Sequence, residues 1–303
     1  MEHAAPRELL DLLGDEMPGA DVTTLLLEVM RRRASRVSAG DLMQRYGSDR
    51  FVAPAAVPFD RLRRTQDHLL AALPPGFEVL ELAPLIPLGA HSAIAPVDQN
   101  NVVSTIRGSE VAADPTNGLA LEAALRRRSI LREAPRSPVS VRLAAIQRAV
   151  RGQRFEGALS FAHFQIFALV TAGRDVGNLT FERESASEHV RFACDGLIRA
   201  GADGVRVELT DFGEGRFAPA VGAVTEALSL RSVEVEVLDR PDREEARGYY
   251  TGFCFKAFAW FGDSVVEVAD GGHVDWTQQL VPSRKERLMI TGLGIDRLAA
   301  LSP

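Results

Sequence analysis

Apolar positions recur at helical spacing from the start of the chain. Leu9, Leu10, Leu12 and Leu13 form one such run, interrupted by Pro18-Gly19. Asp21 is placed to cap a second helix through Leu25, Leu26, Leu27 and Met30, closing on Arg31-Arg32-Arg33. Ser38 is placed to cap a short helix over 38–46, and 60–73 is an amphipathic helix stopped by Pro74-Pro75-Gly76. The next stretch, 77–89, is extended and apolar, closed by Pro84, Pro87 and Gly89. Asp114-Pro115-Thr116 then opens a helix, with a capping side chain and proline in the first turn. Beyond it, strand patterns cover 139–151 and 160–172, followed by a helix over 185–200 and a strand over 204–211. A helix at 218–229, strands at 233–239, 249–261 and 263–272, and a strand running into a helix over 287–301 complete the pattern. Strands come in adjacent pairs with helices set aside. That order predicts an α+β fold with a largely antiparallel sheet.

Composition narrows the function classes. The chain has 303 residues, enough for one large domain or two, and divides into a helical extension over 1–58 and a body over 59–303. Apolar residues make up 46% and charged residues 25%, an ordinary globular balance. The formal net charge of -6 argues against sequence-independent binding to a phosphate backbone. The Arg31–Arg33 and Arg126–Arg128 runs read as solvated last turns that complement a helix dipole, with nucleic acid as the other use. Cys194 and Cys254 have no metal-ligand spacing, so neither a zinc site nor a disulfide framework is expected, and a reducing, cytoplasmic setting fits. No apolar run approaches the roughly 18–20 residues that span a membrane. The N-terminus carries acids early and lacks a signal-peptide core.

Several short motifs follow one another in a consistent order. Val150-Arg151-Gly152-Gln153-Arg154 ends one strand, and His163-Phe164 opens the next. Gly292-Leu293-Gly294-Ile295-Asp296-Arg297-Leu298 lies near the end. Between and before them lie 77–89, Asp114-Pro115-Thr116, Tyr249-Tyr250-Thr251-Gly252 with Phe255, and Gly271-Gly272-His273-Val274-Asp275. Together these segments, covering roughly residues 60–301, resemble the catalytic core of class II aminoacyl-tRNA synthetases. The resemblance is to the histidyl type and to the histidyl-like regulatory subunit of ATP phosphoribosyltransferase.

The resemblance implies an ATP site. Arg151 would contact the α-phosphate and Arg297 the γ-phosphate, with Mg²⁺ bridging. Gln153 would read the adenine amino group where the family uses an acid; its side-chain oxygen can still accept that hydrogen bond. Phe164 belongs to the same nucleotide set. Guanidinium forks match phosphoryl oxygens, and Gly292 and Gly294 let the backbone approach the nucleotide. On the other side of the reacting phosphate, Asp114 and Thr116 would hold an ammonium. Ile166, Val170, Tyr249, Tyr250, Gly271, Gly272 and His273 would line the pocket for the acid. His273 fills either that pocket or a turn, and His163 either faces the nucleotide or is a satisfied sheet histidine. Ser109-Glu110 reads as a capping pair.

The departures bear on the ligand. Ile166 and Val170 replace the Gln and Glu that histidyl enzymes turn toward their amino acid. An imidazole N–H left unpaired there costs about 1–3 kcal/mol, so histidine is a poor ligand. Lys256 replaces the Glu of the Tyr-Tyr-Thr-Gly signature. Arg247 takes the family's catalytic-arginine role if its loop is two residues shorter; the strictly aligned residue is Glu245, and a surface charge is the other reading of Arg247. The histidyl-type insertion between 211 and 249 is absent, and no segment resembling an anticodon-binding domain follows Arg297. The expectation is ATP-dependent activation of a small amino or carboxylic acid as an acyl-adenylate, without anticodon-directed tRNA binding. The acceptor would be a carrier protein, an amine or a metabolite. The alternative is a non-catalytic regulatory subunit of the ATP phosphoribosyltransferase type. The 77–89 segment resembles the family's dimer-forming motif, which implies a homodimer.

Overall fold

The computed structural model describes residues 6–153, 157, 159–229 and 235–302. Arg154 of the Val150–Arg154 motif, and Val233 and Glu234 at the start of one predicted strand, lie outside them. The N-terminal arm comprises α1 (Arg7–Asp11), continued by a wider π-helical turn over Leu12–Glu16, then α2 (Gly19–Ala34) and α3 (Ala39–Ser48). None of these elements buries a side chain. Extended backbone at Pro18 starts α2 at Gly19, so Asp21 sits in the first turn, where its charge favours the helix N-terminus, and does not cap it. Ser38 does cap α3. Asp41 N–H donates to Ser38 Oγ at 3.1 Å and Ser38 N–H donates to Asp41 Oδ2 at 2.9 Å, a reciprocal capping box.

The body follows: α4 (Phe59–Ala72), β1 (Glu78–Leu80), β2 (Leu85–Pro87), β3 (Ser109–Val111), α5 (Pro115–Glu133), β4 (Val141–Val150) and β5 (His163–Arg174). Then come α6 (Thr180–Arg199), β6 (Gly204–Asp211), α7 (Ala218–Ser229), β7 (Val235–Asp239), β8 (Phe253–Phe261), β9 (Ser264–Val274), α8 (Trp276–Leu280), β10 (Glu286–Gly294) and α9 (Ile295–Leu301). The strand expected from 249 begins only at Phe253. Ala246 and Gly248, at φ 65° and 87°, turn the chain sharply before it.

Eight strands form one sheet in the order β1-β4-β5-β10-β9-β8-β6-β7. The six central strands pair antiparallel, and the edge strands β1 and β7 pair parallel to their neighbours. The fold is α+β, with a large, mostly antiparallel sheet flanked by helices. One face packs under α4, α6, α7 and α9 around Phe167, Phe192, Phe255, Met289 and Leu293. The other packs under α5 and α8 around Leu119, Leu143, Val170, Tyr250 and Ile290.

The stripe Ala120, Ala123, Ala124 and Arg127 of α5 faces the sheet. Arg127 is therefore fully buried and makes two bonds to Glu286, Nε to Oε2 at 2.8 Å and the terminal nitrogen to Oε1 at 3.0 Å. The three-arginine run is thus split. Arg126 pairs with Glu78 and Glu122 at the surface, while Arg127 fastens α5 to the first residue of β10.

Candidate functional site

Strand alternation decides which side chains reach the open end of the α5 face. Odd positions of β4 face α5, which carries Arg151 to the same side just beyond the strand's last residue. Even positions of β5 do the same, so Phe164 and Ile166 face the cleft, and Gly292 and Gly294 of β10 lie between them and β9. The register across β8 and β9 slips at Val268, pairing Ala257 with Ala269 but Phe258 with Glu267. Val268 and Ala269 both pack into the core on the α6 and α9 side of the sheet. The extra residue reverses the alternation, leaving Glu267 and Asp270 on one face. Lys256 is directly opposite Asp270, and its ammonium reaches Glu267 Oε2 at 3.1 Å.

The result is a cleft with two lobes. One, of about 270 Å³, is lined by Arg151, Phe164, Ile166, Glu267, Gly292 and Arg297 among others. The second, of about 290 Å³, is lined by His91, Thr116, Asn117, Gln153, Tyr249 and Ile290 among others. Asp114, Arg151, Asp270 and Gly292 line both. The two arginines expected at one nucleotide thus face a common cavity.

Their surroundings are polar and ordered. Arg151 donates from Nε to Ala113 O at 3.0 Å and from a terminal nitrogen, Nη2, to Asp114 Oδ2 at 3.1 Å, with its guanidinium carbon 5.2 Å from the Phe164 ring centre. Asp114 caps α5, its Oδ1 accepting from the Thr116 N–H at 2.9 Å and hydroxyl at 2.8 Å. Arg297 donates to Glu267 O at 2.7 Å. Tyr250 donates its hydroxyl to Asp270 Oδ2 at 2.8 Å. Burial pushes the Asp270 carboxyl above its ordinary range; the Tyr250 bond and Arg151 oppose this, and the charges of Asp114 and Glu267 add to it. Burial likewise raises the Tyr249 and Tyr250 phenols.

Beneath Asp114 lies a buried pair that the sequence did not advertise. His91 Nδ1 is 2.6 Å from Glu110 Oε1, and His91 Nε2 accepts from the N–H groups of Ala113 and Asp114 at 3.1 and 3.3 Å. Those acceptor contacts place the ring proton on Nδ1, where it is donated to Glu110. Burial works against the Glu110 charge, but bonds from Gln99, the Gly89 N–H and His91 outweigh it and hold the carboxyl below its ordinary range. Glu110 therefore fixes the backbone that presents Asp114; Ser109 and Glu110 lie in strand β3 and do not form the capping pair read from the sequence.

Several expected pocket residues lie elsewhere. His273 faces the opposite side of the sheet, among Phe181, Phe217 and Phe253, with Nε2 3.2 Å from Ser185 Oγ. Burial pushes its pKa down to about 3. Gly271 shares that face, where a Cβ would meet the Phe255 ring at 2.7 Å. Gly272 faces the cleft side, but the Tyr250 ring and Cys254 occupy the space above it. Val170 is fully buried under α5, deeper along β5 than Ile166, and lines neither lobe. Arg247 is exposed, pairs with Glu244 at 3.1 Å and lies outside both lobes, although its neighbours Ala246 and Tyr249 line one. His163 turns away from the cleft, with Nε2 2.7 Å from Ala53 O and Nδ1 3.1 Å from Arg148, so it is a satisfied sheet histidine. Asp296 is buried beside it, pairing with Arg148 at 3.2 Å and accepting the Gln165 N–H at 2.6 Å. Asp270 and Glu267 were missed. Their only signal is a pair of acids in an otherwise apolar strand just before two glycines.

A mostly antiparallel sheet carrying these arginines at one cleft, with helices on both faces, is the fold of a class II aminoacyl-tRNA synthetase-like core. Solved structures agree. An ATP phosphoribosyltransferase regulatory subunit/histidyl-tRNA synthetase from Bacillus halodurans superposes with a TM-score of 0.61 at 16% identity, over 84% of this chain and 82% of that one. The histidyl-tRNA synthetase of S. aureus gives 0.58 at 12% identity, over 80% of this chain and 65% of that one. A histidine–tRNA ligase subunit from Alicyclobacillus acidocaldarius gives 0.57 at 15% identity, over 82% and 95%. No protein-family model and no curated protein matches the sequence. Among the described residues, no helix is long and apolar enough to cross a membrane.

Proposed function

We propose that the chain binds ATP with magnesium and a small amino or carboxylic acid and joins them as an acyl-adenylate. The observation that carries this reading is the convergence of Arg151 and Arg297 on one lobe beside Phe164, with a second lobe opening across Asp114 and Asp270. In the reaction, a carboxylate oxygen of the acid attacks the α-phosphorus. The bond from that phosphorus to the bridging oxygen breaks, and pyrophosphate leaves with both electrons. Arg151 would stabilise charge on the α-phosphoryl oxygens and Arg297 would hold the γ-phosphate. Among the described residues no group of three or more metal-ligating side chains is assembled. Magnesium is commonly held by one or two carboxylates plus substrate phosphates, so no larger protein cage is required. The acceptor for the activated acyl group would be a carrier protein, an amine or a metabolite. A homodimer belongs to the same reading; Val79, Leu85 and Leu88, in the segment expected to form it, are 48%, 47% and 54% exposed. A cytoplasmic setting accords with Cys194 and Cys254 not being joined in a disulfide.

The test is pyrophosphate exchange into ATP with a panel of amino and carboxylic acids. Exchange that falls about 10²-fold or more in Arg151→Ala and in Arg297→Ala supports the reading. Exchange unchanged in both variants overturns it.

A regulatory, non-catalytic role is the second reading. It is favoured by Arg247 lying outside both lobes, which leaves the family's reacting-group arginine without a counterpart there. The regulatory-subunit designation of one similar structure points the same way. This reading predicts ligand binding without pyrophosphate exchange, together with altered activity of an ATP phosphoribosyltransferase when the two proteins are mixed.

A further inference from the structure

Asp114 and Asp270 stand at the junction of the two lobes, but their oxygens are not equally available. Asp114 Oδ1 already accepts two hydrogen bonds from Thr116, and Oδ2 is paired with Arg151 at 3.1 Å. Its charge is compensated and its geometry is fixed by its capping role. Asp270 accepts the Tyr250 hydroxyl on Oδ2 and has no ion-pair partner among the described residues. The nearest candidate cation across the strands, Lys256, is committed to Glu267 at 3.1 Å. Arg151, whose charge acts on Asp270 across the junction, is itself paired with Asp114; a carboxylate enclosed by protein without an ion pair of its own is unfavourable, and here it is reachable from both cavities.

We propose that Asp270, and not Asp114, receives the protonated amine of the ligand, which makes the second lobe selective for amine-bearing carboxylic acids. The inference rests on the acyl-activation reading and names its substrate class. A ligand ammonium brings the missing countercharge, and an N⁺–H donated to a carboxylate is roughly twice as strong as a neutral hydrogen bond. Val97, Ala246 and Ile290 provide an apolar wall for the ligand's carbon chain. Two amines satisfy the same chemistry: one on the carbon beside the carboxylate, or one at the far end of the chain.

Four six-carbon acids separate these cases: hexanoic acid has neither amine, L-norleucine the near one, 6-aminohexanoic acid the far one, and L-lysine both. Their four-carbon counterparts extend the test to a shorter chain. Binding is measured by calorimetry on the full chain with magnesium and a non-hydrolysable ATP analogue. The expected result is that at least one amine-bearing acid binds about tenfold or more tightly than its amine-free parent. That gain should vanish in Asp270→Asn, whose side-chain oxygen can still accept from Tyr250. Whether norleucine or aminohexanoate carries the gain assigns the amine. Equal affinities across each set, including no binding by any member, overturn the proposal, as does a gain that survives Asp270→Asn. Binding of the ATP analogue alone is read in the same titrations. If it is absent, the acyl-activation reading has failed; if it is present without an amine gain, only the assignment of Asp270 has failed.

Discussion

Replacing Arg127 by methionine should destabilise the whole body while touching no cleft residue. Both members of the Arg127–Glu286 pair are fully buried and joined by two bonds at 2.8 and 3.0 Å. Arg127 also donates to Val139 O and to Ser137 O, so its loss strips donors from the chain leading into β4. Removing one partner of a buried pair typically costs about 3–5 kcal/mol, because the other charge is left unpaired. Arg174, 3.9 Å from Glu286, remains to soften that charge, which places the expected loss near the lower end of the range. At roughly 2–4 °C per kcal/mol for a chain of this size class, the thermal midpoint should fall by about 10 °C. Urea unfolding followed by tryptophan fluorescence suits the measurement, since Trp276 is 1% exposed and packs in the α5 core. Arg127→Met with Glu286→Leu removes both charges and should recover much of the loss. A single-variant loss under about 1 kcal/mol, or a double variant as unstable as the sum of the singles, would refute the account.

Three further outcomes follow from the same geometry. Gly292 lines both lobes, and a Cβ there would lie 3.4 Å from the Ile166 side chain. Gly292→Ala should be tolerated, whereas Gly292→Leu should fill the junction and weaken an ATP analogue about tenfold or more with little change in unfolding midpoint; equal affinity in both variants contradicts the cleft assignment. His189, bonded on both nitrogens to Thr171 and Thr291, and His273 are each pushed down to a pKa of about 3, chiefly by burial. The unfolded chain protonates them near 6.5, so their stability is fully present above that pH and is lost toward pH 3, by about 1.4 kcal/mol per unit for each. A urea midpoint that stays flat between pH 7 and 5 would rule this out. Asp270 has the opposite sign: its raised pKa gives stability that is present below its unfolded value and lost as pH rises through the folded one. Asp270→Asn removes the titrating group, so its thermal midpoint should fall less than the parent's as pH rises from the acid range to neutrality; an equal or larger fall would contradict that.

Hydrophobic periodicity determined most of the elements by itself. The alternation in 139–151 and 160–172, the break at Pro74-Pro75-Gly76 and the caps Ser38 and Asp114 are local signals, because a side chain's face and a helix's first turn depend on neighbours in sequence. The order of short motifs also grouped Arg151, Phe164, Gly292, Gly294 and Arg297, which line one cleft lobe. Tertiary structure decided the rest. Parity along β9 could not be counted from sequence, since Val268 inserts an extra residue and Gly271-Gly272 carry no side chain to mark a face. That slip puts Glu267 and Asp270 on the cleft side and His273 on the other. Arg126, Arg127 and Arg128 read alike in sequence, and only the seating of α5 against β10 buries the middle one. His91, in the turn after β2, meets Glu110 of the three-residue strand β3, and neither segment is long enough to carry a periodic signature. Sequence fixes which way a side chain points within its own element; which charges share a low-dielectric space is set by how the elements pack.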